Sequence, residues 1–238
     1  MEVKSLYREP EARERVLFGA LEFHDVFRIF RSGPAETVAL RGLDLRIDEG
    51  ELVALFGASG SGKSTALHLA AGLDEPSAGD VLAFGSSLTR LSEPELARYR
   101  ARQVAIVFQS GNLWPTLSAR ENVALALRLA GRRRGVRELV DRSLDVFDLQ
   151  DRERQRAGSL SGGEQQRVAI AAAAARQAPL VLADEPTAEL DVRSEQGVLR
   201  ALQRLRDEFA STVVVVTHST RVAEIADRVV EIRDGAVA

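Results

Sequence analysis

An α/β architecture built on a largely parallel sheet follows from three features of the 238-residue chain. Short, almost wholly apolar runs recur along it: "LVALFG" (52–57), "VAIVFQ" (104–109), "PLVLADEP" (179–186) and "STVVVVTH" (211–218). Runs of this length and uniform character are strands buried on both faces, the signature of parallel sheets covered by helices. Helical segments separate them, as crossover connections require. Each run also ends in glycine or a polar residue, namely Gly57, Gln109, Asp184 with Glu185, and His218. The carboxyl ends of strands are where open α/β sheets bind ligands.

In chain order, residues 1–19, beginning "MEVKSLYREPEARERV", are a charged extension without the apolar centre of a signal peptide. "ALEFHDVFRIF" (20–30) and "ETVALRGLDLRI" (36–47) alternate apolar and polar residues, as half-buried strands do, and "DEGE" (48–51) turns between elements. "LVALFG" feeds a Gly-rich loop and a helix. "EPELARYRARQ" (93–103) is a helix with Pro94 in its first turn, where proline is tolerated. Residues 118–152 carry helical periodicity, broken by the solvated turn "GRRRG" (131–135). Gly-rich "SLSGGEQQR" opens an alanine-rich helix, and "VVEIRDGAV" closes the chain as a hairpin. The expected organisation is a nucleotide-binding core (about 20–95 and 160–238) interrupted by a helical subdomain (about 96–159).

Composition narrows the function. With 45% hydrophobic and 28% charged residues the chain is globular. Its net charge of −3 opposes a mainly electrostatic nucleic-acid binder, so no nucleic-acid partner is expected. The absence of cysteine excludes disulfides and thiolate chemistry. Two lysines occur, Lys4 and Lys63, and the second follows Gly62 in a chain that otherwise uses arginine. The longest apolar run, Val168–Ala175, is far below the ~18 residues of a membrane-spanning helix. A cytoplasmic protein is expected, reaching a membrane only through a partner.

The chemistry concentrates in a few stretches. Gly57-Ala58-Ser59-Gly60-Ser61-Gly62-Lys63-Ser64, followed by Thr65, fits the phosphate-binding pattern G-x-x-x-x-G-K-[ST]. Successive backbone amides of such a loop face one anion, and the following helix adds its dipole. Lys63 is placed to reach the β- and γ-phosphates and Ser64 to ligate Mg²⁺. Asp184 and Glu185, at the end of a buried strand, suit the metal and the attacking water respectively. His218 is either an ordinary surface or core histidine or a sensor of the γ-phosphate, and Gln109, at the junction of core and helical lobe, is either a plain strand-end amide or a sensor.

"LSGGEQQR" (160–167) adds a second anion-receptive helix start at Ser161, Gly162 and Gly163. One nucleotide does not need two such sites. A head-to-tail pair of chains uses both, with each ATP between the phosphate loop of one subunit and the Ser161 turn of the other.

Taken together, these motifs, in this order and spacing, resemble the ATP-binding-cassette (ABC) ATPases over residues 20–238. The resemblance implies a RecA-like P-loop NTPase core with an antiparallel β part near the N-terminus. It implies that Phe30 stacks on adenine, Gln109 links metal and water to a membrane partner, Glu185 is the catalytic base and His218 contacts the γ-phosphate. The turn from Ser161 through Glu164 and Gln165 then meets the second subunit's nucleotide, and Asp191 of "AELD" (188–191) organises the interface between subunits. The expected cofactors are ATP and Mg²⁺. The expected partners are a second copy and an integral membrane permease on whose inner face the protein sits.

"VALRGLDLRIDEGE", "GLDEPSAGDV" and "VFQSGNLWPTLSARENVALAL" look most like the lipoprotein-release, macrolide-export and FtsE-like branch. The chain departs from that branch's habits at Phe30, at Ala172 and at Ala188-Glu189 of "AELD". The alternative reading is a soluble ATPase of the same family acting on DNA or the ribosome. The lack of a heptad run, of cysteine and of a second phosphate loop opposes it. Leu113-Trp114-Pro115 is either the cap of the helical lobe's core or the wall of a groove for a permease helix.

Overall fold

The computed structural model describes residues 18–33 and 35–238. The expected charged extension lies almost wholly outside the described residues. Among the described residues, ten strands and seven α-helices make two sheets and their coverings. β1 (Leu21–Ser32), β2 (Ala35–Ile47), β4 (Ala78–Ala83) and β5 (Ser86–Ser87) form an antiparallel sheet in the order β2-β1-β4-β5. β3 (Leu52–Phe56), β6 (Val104–Val107), β7 (Leu180–Asp184), β8 (Thr212–Thr217), β9 (Arg228–Arg233) and β10 (Ala236–Val237) form the second, ordered β10-β9-β3-β8-β7-β6. Within it β3, β6, β7, β8 and β9 run parallel, and β10 turns back on β9.

The uniform apolar runs have a direct use here. Along β3, Val53 and Leu55 face one layer while Leu52 and Ala54 face the other. The first layer holds α1 (Lys63–Ala70), α2 (Glu93–Arg102) and the antiparallel sheet. The second holds α5 (Gly162–Arg176), α6 (Val192–Phe209) and α7 (Thr220–Ile225), together with α3 (Ala119–Leu129) and α4 (Val136–Val146). Strands buried on both sides cannot alternate in polarity, and β8 has every residue buried.

Two elements within 96–159 depart from the expected helical subdomain. Leu96 and Tyr99 of α2 pack in the core layer beside α1, and β6 pairs in register with β7, from Val104 opposite Leu180 to Val107 opposite Ala183. The helical insertion therefore begins after β6. The reason is local: "VAIV" is a buried strand, and a strand in the central sheet carries its preceding helix into the core.

Three helices begin with the same device. Ser92, Ser118 and Ser161 cap α2, α3 and α5, with Glu95, Glu121 and Glu164 reaching back to the cap residue's amide. Each such cap is worth about 0.5–2 kcal/mol. The insertion is tied to the core through Phe147, stacked on Phe209 with ring centroids 5.9 Å apart, and through Arg204, which donates to the Val146 carbonyl and to Asp148.

Candidate functional site

The ends of β3, β6, β7 and β8 lie side by side, and their following residues converge. In register, Phe56 stands opposite Thr217 and Asp184 opposite Val216. The loop from Gly57 to Gly62 leaves β3 and enters α1 through Gly62, whose φ of 102° a residue with a side chain adopts only under strain. Ala39 and Leu40 of β2 crowd that glycine: an added Cβ would stand 2.4 Å from the Ala39 carbonyl oxygen. The loop is thus pressed against the antiparallel sheet, and β2 helps to shape the site.

Lys63 is 6% exposed and its ammonium lies inside the loop. It donates to the carbonyls of Gly57 and Ala58, both at 2.7 Å. Burial pushes its pKa below the ordinary value, opposed by the attraction of the Glu185 and Asp184 carboxylates. Ser64 Oγ donates to Asp184 Oδ1 at 3.0 Å. One hydroxyl and one carboxylate in contact fit a cation that completes its shell with phosphate oxygens and water, the habit of Mg²⁺. Among the described residues no group of three or more acidic or histidine side chains forms an all-protein metal cage.

Glu185 follows Asp184 with φ 46°, a left-handed conformation unusual for a long side chain. Its amide donates to the Val216 carbonyl at 2.9 Å, which holds the strained turn on β8. Its carboxylate meets His218 Nδ1 at 2.9 Å. Across the opening, Gln109 Nε2 reaches Glu189 Oε1 at 3.4 Å. Glu185, His218 and Gln109 share a cavity of about 690 Å³ with Phe30, Ser59, Gly60 and Thr65. Phe30 is 42% exposed, and Arg28 backs its ring from 4.5 Å while paired bidentately with Asp74. A flat, electron-rich ring braced from behind leaves its open face for a base.

Ser161 sits elsewhere. It lines a second cavity that has no residue in common with the first. Gly162 is exposed, whereas Gly163 packs against Ser194, so that a Cβ there would meet Ser194 Cβ at 2.6 Å. Glu164 and Gln165, expected at a nucleotide, make their bonds within their own segment. Glu164 accepts from the Ser161 amide and hydroxyl with one oxygen and from Arg152 Nε at 2.8 Å with the other, while Gln165 donates to the Leu160 carbonyl. Hydrogen bonds from Arg152 and the Ser161 amide hold the Glu164 carboxyl below the usual carboxylate range. Asp191 caps α6, accepting from the amides of Arg193 and Ser194 and from the Ser194 hydroxyl at 2.7 Å.

Two supporting residues escaped the sequence reading. Gln166, 5% exposed, donates to the carbonyls of Phe108 and Gln109 and accepts from Asn112, so it moulds the loop that carries Gln109. Asn122, equally buried, clamps the loop 114–118 through Trp114, Leu117 and Ser118. The available signal was a polar residue on the buried face of an apolar helix, which must be hydrogen-bonded.

The residue pattern of the ABC transporter family matches residues 40–188. An uncharacterized ABC transporter ATP-binding protein of Thermotoga maritima is 42% identical over 222 residues, covering 91% of this chain and 93% of the relative. The lipoprotein-releasing system ATP-binding protein LolD of Acinetobacter baylyi is 39% identical, covering 90% and 95%. The macrolide export ATP-binding/permease protein MacB of Chlorobaculum tepidum is 40% identical, but the chain spans only 33% of its length. In structure, the chain superposes with a TM-score of 0.82 and 37% identity on the ATP-binding cassette MJ0796, a dimer in a post-hydrolysis state bound to ADP and Pi, over 91% of this chain and 96% of that one. The chain belongs to the ABC transporter family and is one of its ATP-hydrolysing cassettes.

Proposed function

We propose that two copies of this cassette close head to tail around two ATP molecules and that the closure drives a membrane-embedded permease. The observation that carries this reading is the separation, on one chain, of the phosphate loop from the Ser161 turn. On this reading the phosphate loop holds the nucleotide and the Ser161 turn of the second copy completes the site. The dimeric state of the MJ0796 cassette supports it, as does the pairing of ATP-binding and permease functions in the name of the MacB relatives.

In the proposed cycle, residues 20–238 act as one ATPase domain with its inserted helical subdomain. Adenine stacks on Phe30. The amides of Gly57 to Gly62 and of Lys63 to Thr65, with Ala58, Ser59, Gly60 and Ser61 forming the bend, enclose the phosphates. The Lys63 ammonium exchanges the Gly57 and Ala58 carbonyls for phosphate oxygens. Ser64, Asp184 and Gln109 would hold Mg²⁺, which neutralises phosphate charge when bound. Glu185 takes the proton of the attacking water, positioned by His218. Ser161, Gly162 and Gly163 of the second copy close on the γ-phosphate, while Asp191 fixes the loop between the two sites by capping α6. No helix among the described residues is long and apolar enough to cross a membrane, so the reading places the cassette on the inner face, held there by its permease. Trp114, 62% exposed beside the Gln109 loop, is the proposed anchor for it.

The Glu185→Gln variant with ATP should elute as a dimer by light-scattering chromatography, and adding Ser161→Arg should return it to monomer. A double variant that still dimerises with ATP overturns the head-to-tail arrangement.

A further inference from the structure

The cavity beside Ser161 has a character unlike the rest of this acidic chain. It holds about 510 Å³ between the N-terminal turns of α5 and α6 and the segment that succeeds α4. Five arginines line it: Arg152, Arg167, Arg193, Arg200 and Arg204. Two carboxylates also line it, and both are already engaged, Glu164 with Arg152 and Asp148 with Arg204. Arg167, Arg193 and Arg200 make no side-chain hydrogen bond or ion pair among the described residues, and Arg167 Nε is buried without a partner. Arg193 and Arg200 are exposed, so water screens part of the repulsion among the three charges, and an anion bridging them would relieve the rest.

The fold makes room for this arrangement. Gly197 lies in the interior of α6, where glycine costs about 0.5–1 kcal/mol relative to alanine. A Cβ at that position would stand 2.7 Å from Arg167 Nη1. The missing side chain is the space through which the Arg167 guanidinium reaches the cavity.

We infer that this recess is an anion site, separate from the phosphate-loop cavity, that takes a phosphate-bearing solute through Arg167, Arg193 and Arg200. Guanidinium forks match phosphate oxygens two at a time, and three of them suit a ligand carrying two or three negative charges. Free phosphate and a short polyphosphate chain share that chemistry. Arg167, Arg193 and Arg200 belong to one chain, so the three guanidinium groups are in place without a second copy, although Ser161, which also lines the recess, is the residue the proposed dimer brings to the other copy's nucleotide.

The test is titration calorimetry with inorganic phosphate and with pyrophosphate on the full chain carrying Lys63→Ala, which weakens the phosphate loop. Saturable binding is expected, falling at least tenfold when Arg193→Gln and Arg200→Gln are added. Both residues are exposed, so the fold should hold, and an unchanged melting temperature verifies it. Gly197→Ala, which removes no charge but intrudes on Arg167, should weaken the same binding. Preference for phosphate points to a site for the product of hydrolysis, and preference for pyrophosphate to a polyphosphate chain. Binding that survives the arginine substitutions, no binding of either probe at millimolar concentration, or binding of an oligoglutamate peptide in place of both overturns the proposal.

Discussion

Two helices of this molecule start from glycine-containing turns and point their amides outward, yet they are finished differently. α1 starts at Gly62 with no capping side chain and no acidic residue in its first turn. α5 starts at Ser161, whose hydroxyl accepts from the Glu164 amide while the Glu164 carboxylate returns the bond. The first helix leaves its amides and its share of positive dipole for a ligand. The second has satisfied part of its own demand and placed a negative charge beside it, which weakens any anion's hold there. The phosphate loop is therefore built to hold nucleotide by itself. The Ser161 turn is the weaker anion site of the two, which is consistent with the proposal that it meets a nucleotide already held by a second copy.

The sharpest break between the two ends is chemical. Glu185 and His218 accompany the phosphate loop, and no corresponding pair stands at the Ser161 turn. Glu185→Gln should lower ATP turnover by about 10²–10⁴-fold while leaving ATP affinity near that of the parent. Phosphate release at near-normal rate would show that another group takes the water's proton, and would remove the chemical distinction between the ends.

The next contrast is conformational and lies within the phosphate loop. Gly62→Ala meets both a positive φ and a backbone oxygen at 2.4 Å, whereas Gly60→Ala meets a positive φ of 81° in open space. Gly60→Ala should cost about 1 kcal/mol, and Gly62→Ala about 1–3 kcal/mol from strain with the collision in addition. Urea unfolding of both variants separates strain from collision. Equal losses would mean that β2 does not support the loop.

At the other end, Glu164→Ala should destabilise the chain by about 0.5–2 kcal/mol through loss of the cap. The sign of its pH dependence is set by the depressed carboxyl. The Glu164 contribution is present in full above the ordinary value of 4.5 and is lost as pH falls through the lower folded value. The difference between parent and variant should therefore shrink on acidification below pH 4.5. A difference that stays constant into acid would mean that the Arg152 and Ser161 bonds do not hold the charged form.

That same glutamate shows what could be read from residues alone. The phosphate loop, the strand-end acids and the parallel sheet were legible because each is local: a fixed spacing, or a run too apolar for anything but a doubly covered strand. Glu164 was legible in principle too. "SEPE", "SARE" and "SGGE" are three copies of one capping pattern, and the first two begin helices where nothing suggests a ligand. The third adds two glycines to the same cap, so the pattern accounts for how Glu164 is held within its own chain and leaves the Ser161 turn free to be proposed as a contact for a second copy's nucleotide. The bonds of Gln166 to the carbonyls of residues 108 and 109, and the recess opened by Gly197, join residues far apart in the chain and come only from the folded packing of α5 against the loop after β6 and against α6. The expected start of the helical subdomain at about 96 is too early: "VAIV" was legible as a buried strand, but that the helix before it also packs in the core layer comes only from the fold, since helical periodicity tells which face is buried and not which layer buries it.

The smallest expected effect on the isolated cassette concerns Trp114. Its side chain is 62% exposed, although its backbone is fixed by Asn122 from both sides, the amide donating at 2.8 Å and the carbonyl accepting at 3.1 Å. A large aromatic held rigidly in the open contributes little to a monomer and makes a good anchor for a partner, where truncation of a central contact costs about 2 kcal/mol or more. Trp114→Ala should leave unfolding free energy within about 0.5 kcal/mol of the parent, since an exposed side chain adds little to the fold. Co-purification with the permease should weaken at the same time. A sharp fall in melting temperature would show the indole to be part of the helical layer's core. Unchanged melting together with unchanged co-purification would move the docking surface away from the 108–118 loop, and with it the idea that Gln109 reports to the membrane through its neighbours.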